Sequence, residues 1–305
     1  MKYFHPKKYW RLTKECIHNF FWYYLLPDIW YYRIVYKNIT GRRLNIRNPK
    51  TLMEKMHWIK LYYRTEEMTI LADKYKMKEY VKQKYGEKYI VPTIAVYNSV
   101  NEIDWEVLPD KFVIKCNHDA ASSFFCRDKS TFDKDKVVRM LDDFMHRNYY
   151  HYENKQWAYK NIPPLIVIEP YLQNDDGSDI IDYKFYSYGG DLMYFMYSVG
   201  EAKHQVKNVK LDVNKKLIDG YFKKECQLSQ NDIVLPDNID EMIEIARQEG
   251  KRFPHLRLDM YSVNGNIYIG EFTFYSNGGF INICSEDYSQ LLADKIDINQ
   301  ILKNA

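Results

Sequence analysis

Apolar positions recur along most of the chain at helical or strand spacing, and the switches between the two periods divide it into elements. Leu52, Met56, Ile59 and Tyr63 share one helical face behind Thr51-x-x-Glu54, the spacing of a capping box, so a helix is predicted to start there. A second helix is predicted over Glu66–Tyr85, with Gly86 as its stop. Ile90–Tyr97 alternates and is β-branched, as a strand would be. Lys111–Cys116 is a further short strand after the Leu108-Pro109-Asp110 turn. Asp133–Arg147 has helical spacing. Leu165–Glu169 is an unbroken apolar run, a buried strand ended by Pro170. Asp182–Ser187 and Leu192–Val199 flank Gly189-Gly190 as a hairpin. A helix over Asn238–Gly250 precedes the clearest hairpin of all, Leu256–Val263 and Asn266–Phe274 around Asn264-Gly265. No repeat or low-complexity linker interrupts this order.

That last hairpin carries the strongest candidate chemistry. Arg257, Asp259 and Tyr261 alternate with Leu256, Leu258 and Met260, so the polar three share a face. Glu271 and Thr273 share a face of the second strand. An Asp and a Glu on neighbouring strands can hold Mg²⁺, which takes a few hard oxygens and adds phosphate oxygens from a nucleotide. An arginine beside them can steady charge that develops during phosphoryl transfer. Register decides whether this site exists. A strict two-residue Asn264-Gly265 loop sets Gly270 opposite Asp259 and sends Glu271 to the other face. A shared site therefore requires a bulge or a longer loop.

Three weaker signals accompany it. Lys115 ends a strand and is followed by the polar loop Cys116-Asn-His-Asp-Ala-Ala-Ser-Ser123, so it can reach a phosphate that the loop covers. Glu169-Pro170-Tyr171-Leu172 closes a buried strand with backbone groups available to an adenine edge. Asp182 and Lys184 lie on one strand face. Walker, dinucleotide-binding, zincin and nucleophile-elbow motifs are all absent. Five scattered cysteines without a C-x-x-C pair indicate reduced thiols and a cytoplasmic location rather than disulfides or a structural zinc. Cys116, His118 and Cys126 have no zinc spacing and are expected in the core, as are Trp157 and Tyr159.

Taken in order, these segments resemble the ATP-grasp fold, and most closely the TupA-like ATP-grasp proteins of bacterial surface-polysaccharide biosynthesis. The matching text is Asn48-Pro49-Lys50-Thr51 with Glu54-Lys55, Ala72-Asp73-Lys74-Tyr75, Lys111 to His118, Glu169 to Leu172, Asp182 to Phe185, Arg257 to Tyr261 and Gly270 to Thr273. The resemblance implies an α+β protein of two subdomains gripping ATP. Its segments would be a basic helical extension over 1–50, an N-terminal subdomain over 51–110, a lid over 111–172 and a C-terminal subdomain over 173–305. It implies ATP and Mg²⁺ as cofactors. Lys115, Ser122, Ser123 and Lys184 would hold phosphates, with Asp182 beside them. Glu169, Pro170, Tyr171 and Leu172 would hold adenine and ribose. Asp259, Glu271 and Thr273 would hold the metal, while Arg257 and Lys184 act in catalysis.

The activity implied is a carboxylate–amine ligase working through an acyl phosphate. Its partners would be a glycan carboxylate, plausibly a uronic acid, and an amine from an amino acid or peptide. Arg257 and the basic run Lys203–Lys210, with His204, are candidates for holding the carboxylate. Two departures stand out. Thr273 replaces the asparagine that many relatives carry, and the phosphate loop has no glycine. Other expectations are a glycosyltransferase of the same gene-cluster type, which no D-x-D loop supports, and a binding protein without turnover.

Charge changes the picture last. The 305 residues carry 44 Lys/Arg and 41 Asp/Glu, a net +3. Residues 1–53 hold eleven of the cations and only Glu15 and Asp28, which leaves an acidic remainder. An acidic body argues against a nucleic-acid groove. The aromatic, basic first 50 residues, broken at Pro27, either pack on the body or contact an anionic membrane at its inner face. The most apolar stretch, Phe20–Tyr32, is too short to span a bilayer.

Overall fold

The computed structural model describes residues 25–178, 180–199, 207–218, 220–222, 230–281 and 283–304. Helix α1 (Asp28–Thr40) starts after Pro27 and ends at Gly41, whose φ of 73° suits a left-handed cap. It buries Tyr31, Tyr32 and Tyr36. The Tyr32 and Tyr36 rings each meet the His57 ring edge-on at 5.4 Å. His57 belongs to α2 (Leu52–Tyr62), which begins with both halves of the expected capping box. The Glu54 carboxylate also accepts from the Asn45 and Lys50 amides, so this one side chain fixes the entry of the helix.

The helix expected over residues 66–85 is two helices, α3 (Glu66–Ala72) and α4 (Met77–Tyr85). Asp73 makes the break. Its Oδ1 accepts from the Tyr75 and Lys76 amides and from Asn117 Nδ2, replacing helical hydrogen bonds with a side-chain turn. The stop at Gly86 holds, with φ 103°.

Two antiparallel sheets follow. The first contains β1 (Ala95–Tyr97), β2 (Phe112–Cys116), β3 (Phe124–Cys126) and β4 (Ile166–Pro170) in the order β1-β4-β2-β3. The strand expected from Ile90 is confined to β1, because a 3-10 turn fills residues 87–89 and the Val91 carbonyl accepts from Lys78 Nζ. Helix α5 (Lys134–Met145) packs Val137 and Leu141 on this sheet, and α6 (Tyr149–Tyr152) follows it. The second sheet contains β5 (Ile181–Tyr188), β6 (Asp191–Val199), β7 (Lys207–Asp212), β8 (His255–Val263) and β9 (Asn266–Thr273) in the order β7-β6-β5-β8-β9.

Helix α7 (Ile239–Gly250) buries Met242, Ile243 and Ala246 in the core beneath the second sheet, and α8 (Glu286–Lys295) and α9 (Ile298–Asn304) close the chain. At the β5–β6 turn Gly189 has φ 59°, and a Cβ there would lie 1.8 Å from the Lys295 carbonyl oxygen. Only glycine lets α8 dock on that turn.

The core is divided. One large cluster joins α1–α4 to the second sheet and its helices; a smaller one lies between the first sheet and α5. Strands β3 and β7 have no counterpart in the sequence reading. In the basic run, residues 203–206 lie outside the described residues, and residues 207–210 pair with β6.

Candidate active site

The site is built on a bulge. Near the turn Met260 pairs with Ile269, and one step further Asp259 pairs with Glu271, so Gly270 is the extra residue. This is the register the metal reading demands. Lys184 on β5 pairs with Asp259 as well. Three neighbouring strands therefore present Lys184, Asp259 and Glu271 in one row. Tyr186, Arg257 and Thr273 form the next row by the same pairings. Gly270 suits the bulge because a Cβ there would meet the Tyr261 ring at 2.6 Å.

The row is knitted by charge. Arg257 donates from Nε to Asp259 Oδ1 and from Nη2 to Oδ2, both at 2.7 Å. The same Nη2 lies 3.7 Å from Glu271 Oε2. Lys184 Nζ lies 3.3 Å from Asp259 Oδ2 and also donates to Asp182. Lys74 Nζ, placed by the turn at Asp73, lies 3.6 Å from Glu271 Oε1 and donates to the Asp119 carbonyl. Tyr159 donates to Glu271 Oε1 at 3.4 Å. Burial by itself would raise the Glu271 pKa. Lys74 and Arg257, followed by Lys184 and Lys115, overcome it and hold the carboxyl down at about 2. Arg257 is likewise charged: burial opposes this, but Asp259 and Glu271 push its pKa well above the ordinary arginine value.

Beside the row opens a cavity of about 510 Å³, within the range of small-molecule sites. Met77, Val91, Val113, Phe125, Leu172 and Ile269 give it apolar walls. Its polar end holds Lys115, Glu169 and Asp182. Glu169 is buried between two lysines, each 2.6 Å away: Lys78 on Oε1 and Lys115 on Oε2. Burial opposes its ionisation, yet Lys115 and Lys78 keep its pKa below the ordinary value. Pro170, Tyr171 and Leu172 line the same cavity. Ser123 reaches it from the loop between β2 and β3. Ser122 does not, because its hydroxyl donates to Asp119 Oδ1 at 2.6 Å and accepts from the Cys116 amide.

The residues fit a hard divalent cation. Asp259 and Glu271 offer carboxyl oxygens on one face, and the buried Thr273 hydroxyl beside them has no hydrogen-bond partner. No group of three or more His, Cys, Asp or Glu suited to a metal occurs among the described residues, so nucleotide phosphates would have to complete the shell. Cys116 and Cys126 are free, buried thiols.

Sequence reasoning missed Lys74 and Lys78, which stand in a polar stretch that looks solvated. It also placed Tyr159 in the core without seeing its hydroxyl on Glu271. The available signal was weak: Lys78 sits between buried Met77 and Val81 on α4.

The family model described as TupA-like ATPgrasp matches residues 54–297. Among curated proteins none matches. Among solved structures, the D-alanine–D-alanine ligase of Bacillus anthracis aligns with a TM-score of 0.44 and 14% identity, over 77% of this chain and 68% of that one. The corresponding ligase of Helicobacter pylori gives 0.41 and 12%, over 80% and 68%. The ATP-grasp ligase PsnB, complexed with a phosphomimetic variant of its minimal precursor, Mg and ADP, gives 0.41 and 11%, over 80% and 66%.

Proposed function

Since the chain belongs to the TupA-like ATP-grasp family, we propose that it is an ATP- and Mg²⁺-dependent carboxylate–amine ligase. The observation that carries this reading is the bulged register. It sets Asp259, Glu271, Arg257 and Lys184 together on neighbouring strands, next to Asp182 and Gly270, which line a nucleoside-sized cavity.

In this reading the adenosine lies between the apolar walls, and Lys115 turns from Glu169 toward the phosphates. Asp259 and Glu271 hold Mg²⁺, with Thr273 as a neutral neighbour. The bound cation would neutralise phosphate charge. A carboxylate oxygen of the acceptor attacks the γ-phosphorus, the bond to the β-phosphate oxygen breaks, and ADP leaves. The amine nitrogen then attacks the acyl carbon of the acyl phosphate, the C–N bond forms as the C–O bond to phosphate breaks, and the departing phosphate takes up the nitrogen's proton. Arg257 stays charged throughout, so with Lys184 on the neighbouring strand it positions the anions and offsets charge rather than moving protons. A glycan uronic acid is the carboxylate that the family suggests, with an amino acid or peptide as the amine. Arg257 and Lys74 offer it cationic contacts.

Titration with ATP, with and without Mg²⁺, tests this reading. Wild type should bind in a Mg²⁺-dependent manner and Asp259→Asn should not. Mg²⁺-independent binding, or none, removes the ligase reading. ADP release in the presence of uronate and amine pairs then tests the substrates. One observation favours a second reading, a binding protein without turnover. The phosphate loop spends its own amides on Asp119, whose Oδ1 accepts from Ala121 N and Ser122 N. Nucleotide binding with no ADP release for any pair would select it.

A further inference from the structure

Helix α1 buries one side and leaves the other bare. Tyr31, Tyr32 and Tyr36 face the core, while Trp30 is 54% and Ile34 36% exposed. Arg33 and Lys37 are exposed between them. At the helical repeat these four positions span about 100° of the circumference, one continuous stripe. The Arg33 guanidinium lies 5.3 Å from the Trp30 ring centre, so cation and indole share one outward surface. Leu25, 58% exposed, continues it at the N-terminal end. At the other end Arg42, Arg43, Arg47 and Lys50 are all exposed.

No Asp or Glu occurs between residues 29 and 53. Asp28, the helix's single acid, is turned toward Arg64, Tyr150 and Lys155. Among the described residues, Arg33, Lys37, Arg42, Arg43, Arg47 and Lys50 form no ion pair. Among the described residues this surface is uncompensated by ion pairs: six cations and three large apolar side chains, Leu25, Trp30 and Ile34.

We propose that the outer face of α1 and the basic segment after it dock on an anionic lipid bilayer, with the helix lying along the surface. The chemistry matches in both parts. Trp30, Ile34 and Leu25 suit the boundary between headgroups and acyl chains, and the flanking cations suit anionic headgroups. Residues 1–24 are a poor alternative cover, because Lys2, Lys7, Lys8, Arg11 and Lys14 outnumber Glu15 and carry the same sign. No helix among the described residues is long and apolar enough to cross a membrane, and the contact proposed is lateral. The inference is independent of the ligase reading.

Sedimentation of the full chain with phosphatidylcholine vesicles, with and without phosphatidylglycerol, tests it. Binding is expected only to the phosphatidylglycerol vesicles and weakens with added salt. The double variant Arg33→Gln, Lys37→Gln should bind roughly thirtyfold more weakly. Trp30→Ala should also weaken binding, with the melting temperature of each variant unchanged. Absence of binding, or equal binding to both vesicle types, overturns the proposal. So does full binding by the variants, which would place the contact outside α1. A wild-type dimer that the variants convert to monomer would instead assign the face to a second copy of the chain.

Discussion

In the proposed ligase reading, Asp119 stands where a phosphate loop would need bare backbone. Successive amides in such a loop form a concavity that binds anions, and here the anion is internal. Its Oδ1 accepts from Ala121 N and Ser122 N, both at 3.2 Å, and from the Ser122 hydroxyl. Asp119→Asn keeps an acceptor and removes the charge. It should tighten ATP binding about fivefold, since roughly 1 kcal/mol of repulsion is relieved. Calorimetric titration against wild type measures this, and weaker binding would show that the loop needs the charge. Glu271 makes a second residue-scale prediction. Its pKa of about 2 lies below the ordinary 4.5, so the stability it contributes is present above pH 4.5 and lost as pH falls toward 2. Glu271→Gln should flatten the melting temperature over that window. Asp259, Glu271, Lys184 and Arg257 were legible because strand alternation places them. Lys74, Lys78 and Tyr159 were not, because their partners Glu271 and Glu169 lie far along the chain.

Among the elements, the β8–β9 hairpin shows what pattern reading supplies and where it stops. Asn264-Gly265 and the alternation identify both strands, and arithmetic on the turn reveals the need for an extra residue. Which residue is extra follows only from the Tyr261 ring packed over Gly270. Gly270→Ala should destabilise by about 1–3 kcal/mol through overpacking and weaken Mg²⁺-dependent ATP binding by shifting the row beyond it. Thermal melts and titration report the two effects separately. The break at Asp73 was missed for a related reason: its competing acceptor role depends on Asn117 arriving from another segment. A further contact joins elements distant in sequence. Glu249 on α7, fully buried, accepts from Tyr80 and Tyr85 of α4 and pairs with Lys84. Glu249→Gln leaves Lys84, Arg252 and the two tyrosine hydroxyls without their charge partner and should cost about 3 kcal/mol, the scale for breaking a buried pair. Urea unfolding would measure it.

At the scale of the molecule, the order of elements announced the ATP-grasp fold, but the division of the core did not appear in the sequence. Both sheets have apolar strands, and only their packing partners distinguish the large cluster from the small one. Acid sensitivity is also a property of the whole. Burial pushes the His255 pKa down to about 4 and that of His57 to about 3, so both are neutral in the folded chain. The unfolded chain takes up protons on both below the ordinary value of about 6.5, and stability should fall as pH drops from there toward 4. His255→Gln should lower the melting temperature at neutral pH yet reduce its slope between pH 6.5 and 4.

The ion pairs of the site carry one more consequence. Lys74, Lys78, Lys115, Lys184 and Arg257 already face Glu169, Asp182, Asp259 and Glu271. The pocket therefore behaves like an ion-exchange resin loaded with its own counter-ions. In the proposed ligase reading, a nucleotide and its metal would arrive as a matched set that swaps partners inside a nearly neutral pocket, and affinity for them should depend only weakly on salt.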